Sequence, residues 1–395
     1  MPGPLLVDVT HTSHTRARTG VQRVTRSLLL ALGTDARPIT HDPYARAWRL
    51  LRDWEHENLA SEVPHRGSRG SRWPLQAMLR GHTRRFVGCN LTDMAAIGAE
   101  APSGMIVPEI FSAATSAAFP LLSALTEGPK VAVFHDAIAL QHPELAPPAT
   151  VERFPGYLQE LLAFDGIAAV SEASRDALLD YWKWAGFTET PPVAAIPLGL
   201  TPPSILPGPA QAPGRPVILC VGSVEARKNH LALLEACEQL WASGADFELR
   251  VIGHLQRQTG AAAAERMRAL QRAGRPARYD GAVPEPELEA AYAACTFTVY
   301  PSRIEGFGLP VLESLARGKP CVCSRHGALG EISRGGGCLA LEAVDAASLA
   351  AGLQRLLTSP AELASLAQAA RGRPLRTWSD YARDLRAWMG SLERG

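Results

Sequence analysis

Long apolar runs are absent from this sequence of 395 residues, although 46% of its residues are hydrophobic. No stretch approaches the roughly 18 consecutive apolar residues that a membrane-spanning helix requires, so we expect none. The first residues also lack the basic start and the apolar core of a signal peptide. These absences predict a cytoplasmic protein whose hydrophobic residues fill sizeable globular cores.

Signs of a disulfide framework or a zinc site are also missing. The seven Cys residues are odd in number and most lie in apolar runs, which favours reduced, buried thiols. Cys321 and Cys323 are too close for a zinc pair with the usual spacer of roughly two to four residues. Aromatic residues make up only 6% of the chain and no RNA-binding motif occurs, so we expect no nucleic-acid partner.

Charge is distributed unevenly, although the formal net charge is only +1. Residues 1–90 contain fourteen Arg, seven acidic residues and no Lys. Two interpretations of the Arg-rich stretch 46–85 stay open. It contacts an anionic acceptor, a lipid diphosphate or the inner face of a membrane, or it is a solvated surface without a partner.

Apolar runs of strand length alternate with segments of helical period along most of the chain. We expect strands at 5–9, 86–89, 105–107, 131–134, 167–170, 193–196, 217–221, 247–252, 278–279, 297–300 and 320–324. Helices are expected at 21–32, 174–184, 229–242, 261–273, 286–294, 310–317 and 347–358. Residues 37–85 show no clean period and are expected to be irregular or partly helical.

A linker is expected at 201–216, which contain six prolines and two glycines. The βα series on either side predicts an α/β fold with two doubly wound, Rossmann-like domains, 1–200 and 217–375, facing each other across a cleft. Ligands bind beyond the carboxyl ends of the strands in such sheets, which places the site in the cleft. The amphipathic segment 376–395 is expected to cross back to the first domain, and packing on the second domain alone is the alternative.

An anion site is predicted where the apolar strand 217–221 ends. Gly222 and a short turn precede Arg227, Lys228 and Asn229 at the start of a helix. Two cations and the free N–H groups of a helix start suit a diphosphate. A solvated basic turn has the same pattern, so this segment alone leaves both interpretations open.

A second candidate segment, PSRIEGFGLPVLE at 301–313, follows the strand expected at 297–300. Gly306 and Gly308 let the backbone approach a ligand closely, and Pro310 suits the first turn of a helix. Glu305 and Glu313 can each accept hydrogen bonds from two hydroxyls of a sugar or a ribose. The whole string favours a functional site over a surface role for Glu313.

The two glutamates, with seven residues between them, resemble the EX7E motif of family 4 retaining glycosyltransferases, which have the GT-B fold. The segment 133–144, which contains His135 and Asp136, resembles the His-Asp segment of that family in the form found in bacterial mannosyl- and rhamnosyltransferases. Further segments resemble that family in the same order, at 19–23, 133–144, 170–174, 197–199, 222–229 and 327–331. The similarity covers roughly residues 4–35 and 130–375. Departures are Gln22 and Arg23 in the first loop and Gly330, where the family usually has Pro.

The resemblance implies a role for each matching residue. Arg227 and Lys228 would hold the donor diphosphate and neutralise the leaving group. Glu305 would bind hydroxyls of the donor sugar, and His135 would lie near that sugar, with Asp136 orienting its loop or its ring. Donor-binding residues implied by the motifs are Gly20, Gly222, Gly306, Phe307, Gly308, Leu309 and the ribose-binding Glu313.

The sequence contains no Asp-x-Asp pair, which metal-dependent transferases commonly use to hold a cation against the diphosphate. The resemblance therefore implies an enzyme that needs neither a metal nor a cofactor. It also implies same-face attack through an oxocarbenium-like state, with retention. The implied reaction moves a hexose, mannose or a 6-deoxy sugar being favoured, from a nucleotide-diphosphate sugar to a glycan or lipid-linked saccharide in cell-envelope polysaccharide synthesis.

Other functions fit parts of the sequence. An epimerase or hydrolase of the same fold would act on the donor alone. GGGCLA at 335–340 nominally fits a dinucleotide-binding motif, but no expected strand precedes it and no helical pattern opens there. The Arg-rich stretch alone would allow a non-enzymatic carbohydrate- or nucleic-acid-binding protein. Asp8 and Glu109 lie near strand ends, and we expect a structural role for both rather than contact with an acceptor.

Overall fold

The computed structural model of the protein describes residues 3–18, 20–61, 73–87, 90–203 and 214–392. Two sheets account for the strands of these residues, one built from residues before the expected linker and one from residues after it. We call residues 3–203 the N-terminal half and residues 214–373 the C-terminal half. Most of the expected linker, 204–213, lies outside the described residues, so the domain boundaries stay a prediction.

The N-terminal half contains a seven-stranded sheet in the order β3-β2-β1-β4-β5-β6-β7. Its strands are β1 (Leu5–Asp8), β2 (Ala36–Asp42), β3 (Ala47–Leu50), β4 (Gly104–Val107), β5 (Lys130–Phe134), β6 (Gly166–Ala169) and β7 (Val193–Ala195). All neighbours are parallel except the edge pair β2 and β3. The central strands are apolar along their length because helices cover both faces.

Nine helices of the described N-terminal residues flank this sheet. They are α1 (Gly20–Leu32), α2 (Asp53–Ala60), α3 (Leu75–Val87), α4 (Asn90–Gly98), α5 (Ala113–Ser116), α6 (Phe119–Ser123), α7 (Ile138–Gln141), α8 (Pro148–Glu160) and α9 (Glu172–Trp184). Ser171 caps α9 by accepting from the N–H of Ser174, at 3.0 Å, so the helix begins at Glu172, two residues before the expected start.

The C-terminal half contains an all-parallel six-stranded sheet in the order β10-β9-β8-β11-β12-β13. Its strands are β8 (Val217–Val221), β9 (Glu248–Ile252), β10 (Ala277–Gly281), β11 (Phe297–Tyr300), β12 (Cys321–Ser324) and β13 (Cys338–Leu341). Its helices are α10 (His230–Ala242), α11 (Ala261–Arg272), α12 (Glu285–Ala294), α13 (Leu309–Ala316), α14 (Gly327–Ser333), α15 (Ala346–Thr358) and α16 (Pro360–Arg371).

The last helix, α17 (Trp378–Met389), packs on the N-terminal half. Tyr381, Leu385 and Met389 are buried in the same apolar cluster as Val24 and Leu28 of α1. The packing on the second domain that the sequence left open is therefore not what the structure shows.

Several expectations about individual elements are wrong. The strand expected at 86–89 does not form in its described part, because Phe86 and Val87 end the helix α3, while residues 88–89 lie outside the described residues. Residues 37–50, part of the stretch 37–85 expected to be irregular or partly helical, form most of β2 and all of β3. The triple glycine 335–337, by contrast, behaves as the sequence indicates: it precedes the strand β13 and opens no helix, so it is not a dinucleotide-binding turn.

The predicted α/β class with two doubly wound sheets is confirmed. Both sheets present the carboxyl ends of their parallel strands toward each other, since the loop after β11 contacts the loop after β5. No helix of the described residues is both long and apolar enough to cross a membrane.

Candidate active site

Arg227 and Lys228 lie in a single 3-10 turn, Ala226–Lys228, between β8 and α10. Asn229 adopts a left-handed conformation with φ of 55° and thereby turns the chain into α10. Gly222 directly follows β8, and a Cβ atom there would stand 3.2 Å from Cδ of Lys228. The two cations therefore lie together at the end of one strand, where the sequence predicts them.

Glu305 is the partner of both cations. Its Oε2 accepts from Nη1 of Arg227, and its Oε1 accepts from Nζ of Lys228 at 2.9 Å. The hydroxyl of Tyr300, at the end of β11, also donates to Oε1, at 2.9 Å. Glu225 holds the other side of Arg227, with Oε1 2.9 Å from Nη2.

The charge of Glu305 depends on these neighbours. Burial alone would raise the pKa of Glu305, but the positive charges of Arg227 and Lys228 outweigh it and hold the pKa at about 2. The side chains of Glu305 and Lys228 are each 8% exposed and that of Arg227 is 25% exposed, so the three groups form a largely buried, ionised cluster at the cleft. Breaking one partner of such a buried cluster is strongly destabilising.

The glycine loop 306–309 fits tightly between the two halves. A Cβ atom on Gly306 would stand 2.1 Å from the carbonyl oxygen of His135, so only glycine allows the loops to approach this closely. Gly308 has a φ of +115° and caps α13 without a side-chain hydrogen bond. Among the described residues, no acceptor lies on the N–H groups of Phe307, Gly308 or Leu309, which leaves them available to a ligand.

Glu313 lies one turn into α13 and is engaged by one residue from each half. Arg23 of α1 forms an ion pair with Oε1, and the hydroxyl of Tyr292 donates to Oε2 at 3.3 Å. Burial opposes the ionisation of Glu313, but the charge of Arg23 keeps its pKa below the ordinary value. Gly20 begins the same helix α1, and a Cβ atom on it would meet nothing within 4 Å.

His135 directly follows β5 and is buried. Its Nε2 lies 2.8 Å from the carbonyl oxygen of Pro108. Burial lowers the pKa of His135, so the ring is neutral at pH 7. Because a carbonyl can only accept, the proton is on Nε2, and Nδ1 is left as an acceptor. Asp136 accepts from the N–H of Ile138, with its Oδ1 at 3.0 Å, and so orders the loop rather than the ring of His135.

Backbone and side-chain contacts join the two halves around this site. Ser171 and Ser174 at the start of α9 both donate to the carbonyl oxygen of Gly306, at 2.7 and 3.2 Å. Glu331 of α14 reaches across the cleft and accepts from the N–H groups of Glu172 and Ala173, at 3.0 and 2.7 Å. A carboxylate from one half thus caps a helix of the other.

Asp8 and Glu109 do not line this cluster. Both are buried and hold the loop after β1: Asp8 accepts from the N–H of Thr10 at 2.9 Å, and Glu109 accepts from those of His11 and Thr12 at 2.7 and 2.8 Å. The geometry agrees with the structural role expected for both.

Sequence reasoning missed two contributors to the site. Tyr300 was expected only as part of a strand, and Arg23 only as a departure from a motif. Arg23 carried a usable signal, because it lies three residues after Gly20 and so faces the same side of α1. Tyr300 carried none, since its hydroxyl meets Glu305 only through the geometry of the loop after β11.

The arrangement can bind a diphosphate and present hydroxyl acceptors beside it. Two cations and free helix N–H groups converge on one side of the cleft, and His135 lies on the other. Both predicted carboxylates are present, but in this structure they are engaged by cations and tyrosines rather than open.

Known proteins resemble the chain in both halves. Residues 206–373 match the family described as glycosyl transferases group 1. The serotype-specific mannosyltransferase WbdA of Escherichia coli is 26% identical over 339 residues, which cover 80% of this chain and 38% of that protein. The O-antigen chain mannosyltransferase B of Escherichia coli is 30% identical over 218 residues, which cover 53% of this chain and 56% of that protein. The chain therefore spans less than two thirds of each of these relatives.

A solved structure extends the similarity to the whole fold. The structure of Anabaena HepE in complex with UDP and glucose superposes with a TM-score of 0.69 at 14% identity, covering 99% of this chain and all of that one. At this identity the likeness concerns the fold alone.

Proposed function

We propose that this chain transfers a hexose with retention of configuration. The premise is that it is a glycosyltransferase with the GT-B fold and a group 1 domain over residues 206–373. The donor is a nucleotide-diphosphate sugar and the acceptor a glycan or a lipid-linked saccharide. The observation that carries the proposal is the cluster of Arg227, Lys228 and Glu305, which faces His135 across the cleft.

The diphosphate of the donor binds at the C-terminal half. Arg227 grips phosphate oxygens with its fork and Lys228 adds a point charge. The unengaged N–H groups of Phe307, Gly308 and Leu309 at the start of α13 complete the anion site. These cations and N–H groups support our proposal that the donor diphosphate binds without a metal ion.

Glu313 binds the ribose hydroxyls, which displace Arg23 from its carboxylate. The pair between Glu313 and Arg23 occupies the carboxylate while the donor is absent. Once the ribose displaces it, Arg23 is free to face the diphosphate from the opposite half. Its side chain is 42% exposed, so the rearrangement needs no change in packing.

Glu305 positions the two cations and contacts the sugar through the one lone pair that remains on its Oε2. Each carboxylate oxygen has two acceptor sites, and the cations and Tyr300 do not fill all four. His135 accepts a hydrogen bond from a hydroxyl of the sugar through Nδ1, since its Nε2–H donates to the carbonyl oxygen of Pro108. The sugar is thereby fixed between the halves.

The reaction proceeds on one face of the sugar. The bond between the anomeric carbon and the phosphate oxygen breaks, and its electron pair passes to the phosphate. The acceptor oxygen bonds to the anomeric carbon on the same face, and its proton goes to the leaving phosphate. Arg227 and Lys228 are already in place to stabilise the charge that develops there.

Mannose is the favoured sugar, with 6-deoxyhexoses next. Support comes from the names of the relatives, both of which are mannosyltransferases, one acting on the O-antigen chain. We accordingly place the chain in cell-envelope polysaccharide synthesis, as a member of glycosyltransferase family 4. Transfer of the sugar to a glycan distinguishes this proposal from an epimerase or hydrolase, which would convert the donor with no acceptor present.

Thermal unfolding with UDP, GDP, dTDP and ADP tests the donor site. A nucleotide at about 100 times its dissociation constant stabilises the folded state by about 2.7 kcal/mol, so one member of the panel should raise the melting temperature well above the others. Glu313→Gln should weaken its binding roughly tenfold, because hydrogen bonds to a charged group contribute about 1.5–3 kcal/mol.

Glu265→Gln is the matched control, since that side chain is 60% exposed on α11. It should bind as the unaltered protein does. A panel in which no nucleotide stands out would contradict the proposed function, and so would turnover that stops when EDTA is added.

A further inference from the structure

Helix α3 exposes three large apolar side chains. Leu75, Leu79 and Phe86 are 77%, 67% and 88% exposed. At 100° per residue they fall within about 40° of one another, so they form one apolar ridge. The other strongly exposed apolar residues of the described chain, Leu30 and Trp184, lie on separate helices.

The ridge is not the face by which α3 attaches to the protein. That face consists of small residues: Ala77 is 3% exposed, and a Cβ atom on Gly81 would stand 2.6 Å from Cβ of Tyr44. Arg84 is half-buried and pairs with Asp93 at 2.6 Å. The helix is therefore docked through one side, and its apolar ridge is left without a partner among the described residues.

Positive charge flanks the ridge on both sides. Arg80 and Arg85 are exposed and lie about 100–120° from the centre of the ridge in opposite directions. The helix contains no acidic residue. An apolar stripe bordered by Arg without compensating acids is typical of a helix that lies in the interface of an anionic bilayer.

The position of α3 in the fold relates the ridge to the cleft. Gly81 packs against Tyr44 and Asp42, at the carboxyl end of β2. The strands β1 and β5 run parallel to β2 in the same sheet and end at the same edge, where Asp8 and His135 lie. Helix α3 is thus on the rim of the N-terminal half that faces the cleft.

We propose that α3 docks the protein on an anionic bilayer surface. Leu75, Leu79 and Phe86 enter the boundary between headgroups and acyl chains, while Arg80 and Arg85 contact anionic headgroups. A second copy of the chain fits less well, because a symmetric contact through this helix would set the arginines of one copy against those of the other. The docked helix places the rim of the cleft at the bilayer surface.

Vesicle co-sedimentation tests the proposal with the full chain. The protein should bind vesicles of phosphatidylcholine with 30 mol% phosphatidylglycerol more tightly than vesicles of phosphatidylcholine alone; the lipid fraction is set at roughly the level that makes a surface clearly anionic. Replacing Arg80 and Arg85 by Ser should weaken binding to the anionic vesicles roughly 30-fold, at about fivefold per charge. Leu75→Ser, Leu79→Ser and Phe86→Ser together should weaken it at least about tenfold.

Leu30→Ser is the matched control, because Leu30 is 82% exposed on α1 and should not affect vesicle binding. Nucleotide binding should be the same in all variants, so a failure of this proposal is distinguishable from a failure of the transferase proposal. The proposal is overturned if the unaltered protein ignores anionic vesicles or if the ridge variant binds them equally well. A change of oligomeric state in the ridge variant, with vesicle binding retained, would assign the face to a contact between copies instead.

Discussion

Asp8 and Glu109 place two buried carboxyl groups against successive N–H groups of one loop, at Thr10, His11 and Thr12. Burial raises the pKa of Glu109 to about 8, and the neighbouring charge of Asp8 adds to the effect. Burial likewise raises the pKa of Asp8, to about 6. The folded protein therefore retains protons here that the unfolded chain has already lost.

We expect the free energy of unfolding to fall as pH rises from about 5 to 8. An acid whose pKa is higher in the folded than in the unfolded state stabilises the folded state at a pH below its unfolded-state pKa. That contribution is lost as the pH rises through the folded-state pKa. At about 1.4 kcal/mol per pKa unit, the loss is on the order of 3–5 kcal/mol. Asp8→Asn keeps the acceptor Oδ1 for Thr10 and removes the charge, so it should flatten the dependence.

Urea unfolding at intervals between pH 5 and 8 measures the effect. Equal slopes in the unaltered protein and in Asp8→Asn would show that Asp8 contributes nothing to the pH dependence of stability.

At the scale of elements, helix α17 supplies a side of the N-terminal core that the rest of that half leaves open. Leu385 is fully buried in the cluster that also contains Val24 and Leu28. The same helix makes an exposed ion pair between Arg386 and Asp35. Packing and surface charge can therefore be compared on one helix.

Leu385→Ala should destabilise the protein by about 2–5 kcal/mol, because the substitution leaves a cavity that the core cannot fully close. Arg386→Ala should cost less than about 1 kcal/mol, as exposed ion pairs usually do. Denaturant unfolding monitored by circular dichroism gives both values. A loss in Leu385→Ala no larger than that in Arg386→Ala would mean that α17 rests on the surface without completing the core.

The elements that the sequence did not predict share a physical cause. Strands β2 and β3 carry Asp42 and Arg49, polar residues that look solvent-exposed in sequence, yet Arg49 is 4% exposed because it pairs with Asp42 and with Glu55 at 3.1 and 2.7 Å. Such pairing over several elements is invisible to periodicity. Phe86 led to the opposite error. It is an exposed apolar residue near the end of a helix, which in the sequence resembles the start of a buried strand.

The sequence predicted the residues of the candidate site better than the contacts between them. Strand ends, glycines and helix starts identify Arg227, Lys228, Glu305 and the glycine loop, because each is local in sequence. Arg23 and Glu313 are separated by 290 residues, and their pairing follows only from how the halves meet. The engagement of Glu305 by both cations is likewise a result of tertiary geometry.

For the whole molecule, Glu331 is the clearest means of testing how the halves are held. Its two oxygens cap α9 from the other side of the cleft. Glu331→Ala should shift the equilibrium toward open arrangements by about two- to fivefold, the range expected from about 0.3–1 kcal/mol per charge at a helix start.

Small-angle scattering without donor should then give a larger radius of gyration, and saturating nucleotide sugar should restore the closed value. Glu342→Gln serves as the control, because Glu342 is 71% exposed and its ion pairs among the described residues, with Arg325 and His326, lie within the C-terminal half. Identical scattering of Glu331→Ala and Glu342→Gln would show that this cap does not hold the cleft closed.

The return of α17 to the N-terminal half also sets an order of events during protein synthesis. The last strand of the first sheet ends at Ala195, yet the core beside α1 waits for residues 378–389 to leave the ribosome. At about 5–20 residues per second, that delay is roughly 10–40 seconds. Throughout it Val24 and Leu28 lack their final cover, so the nascent chain is open to chaperones and to aggregation for the time it takes to translate the second sheet.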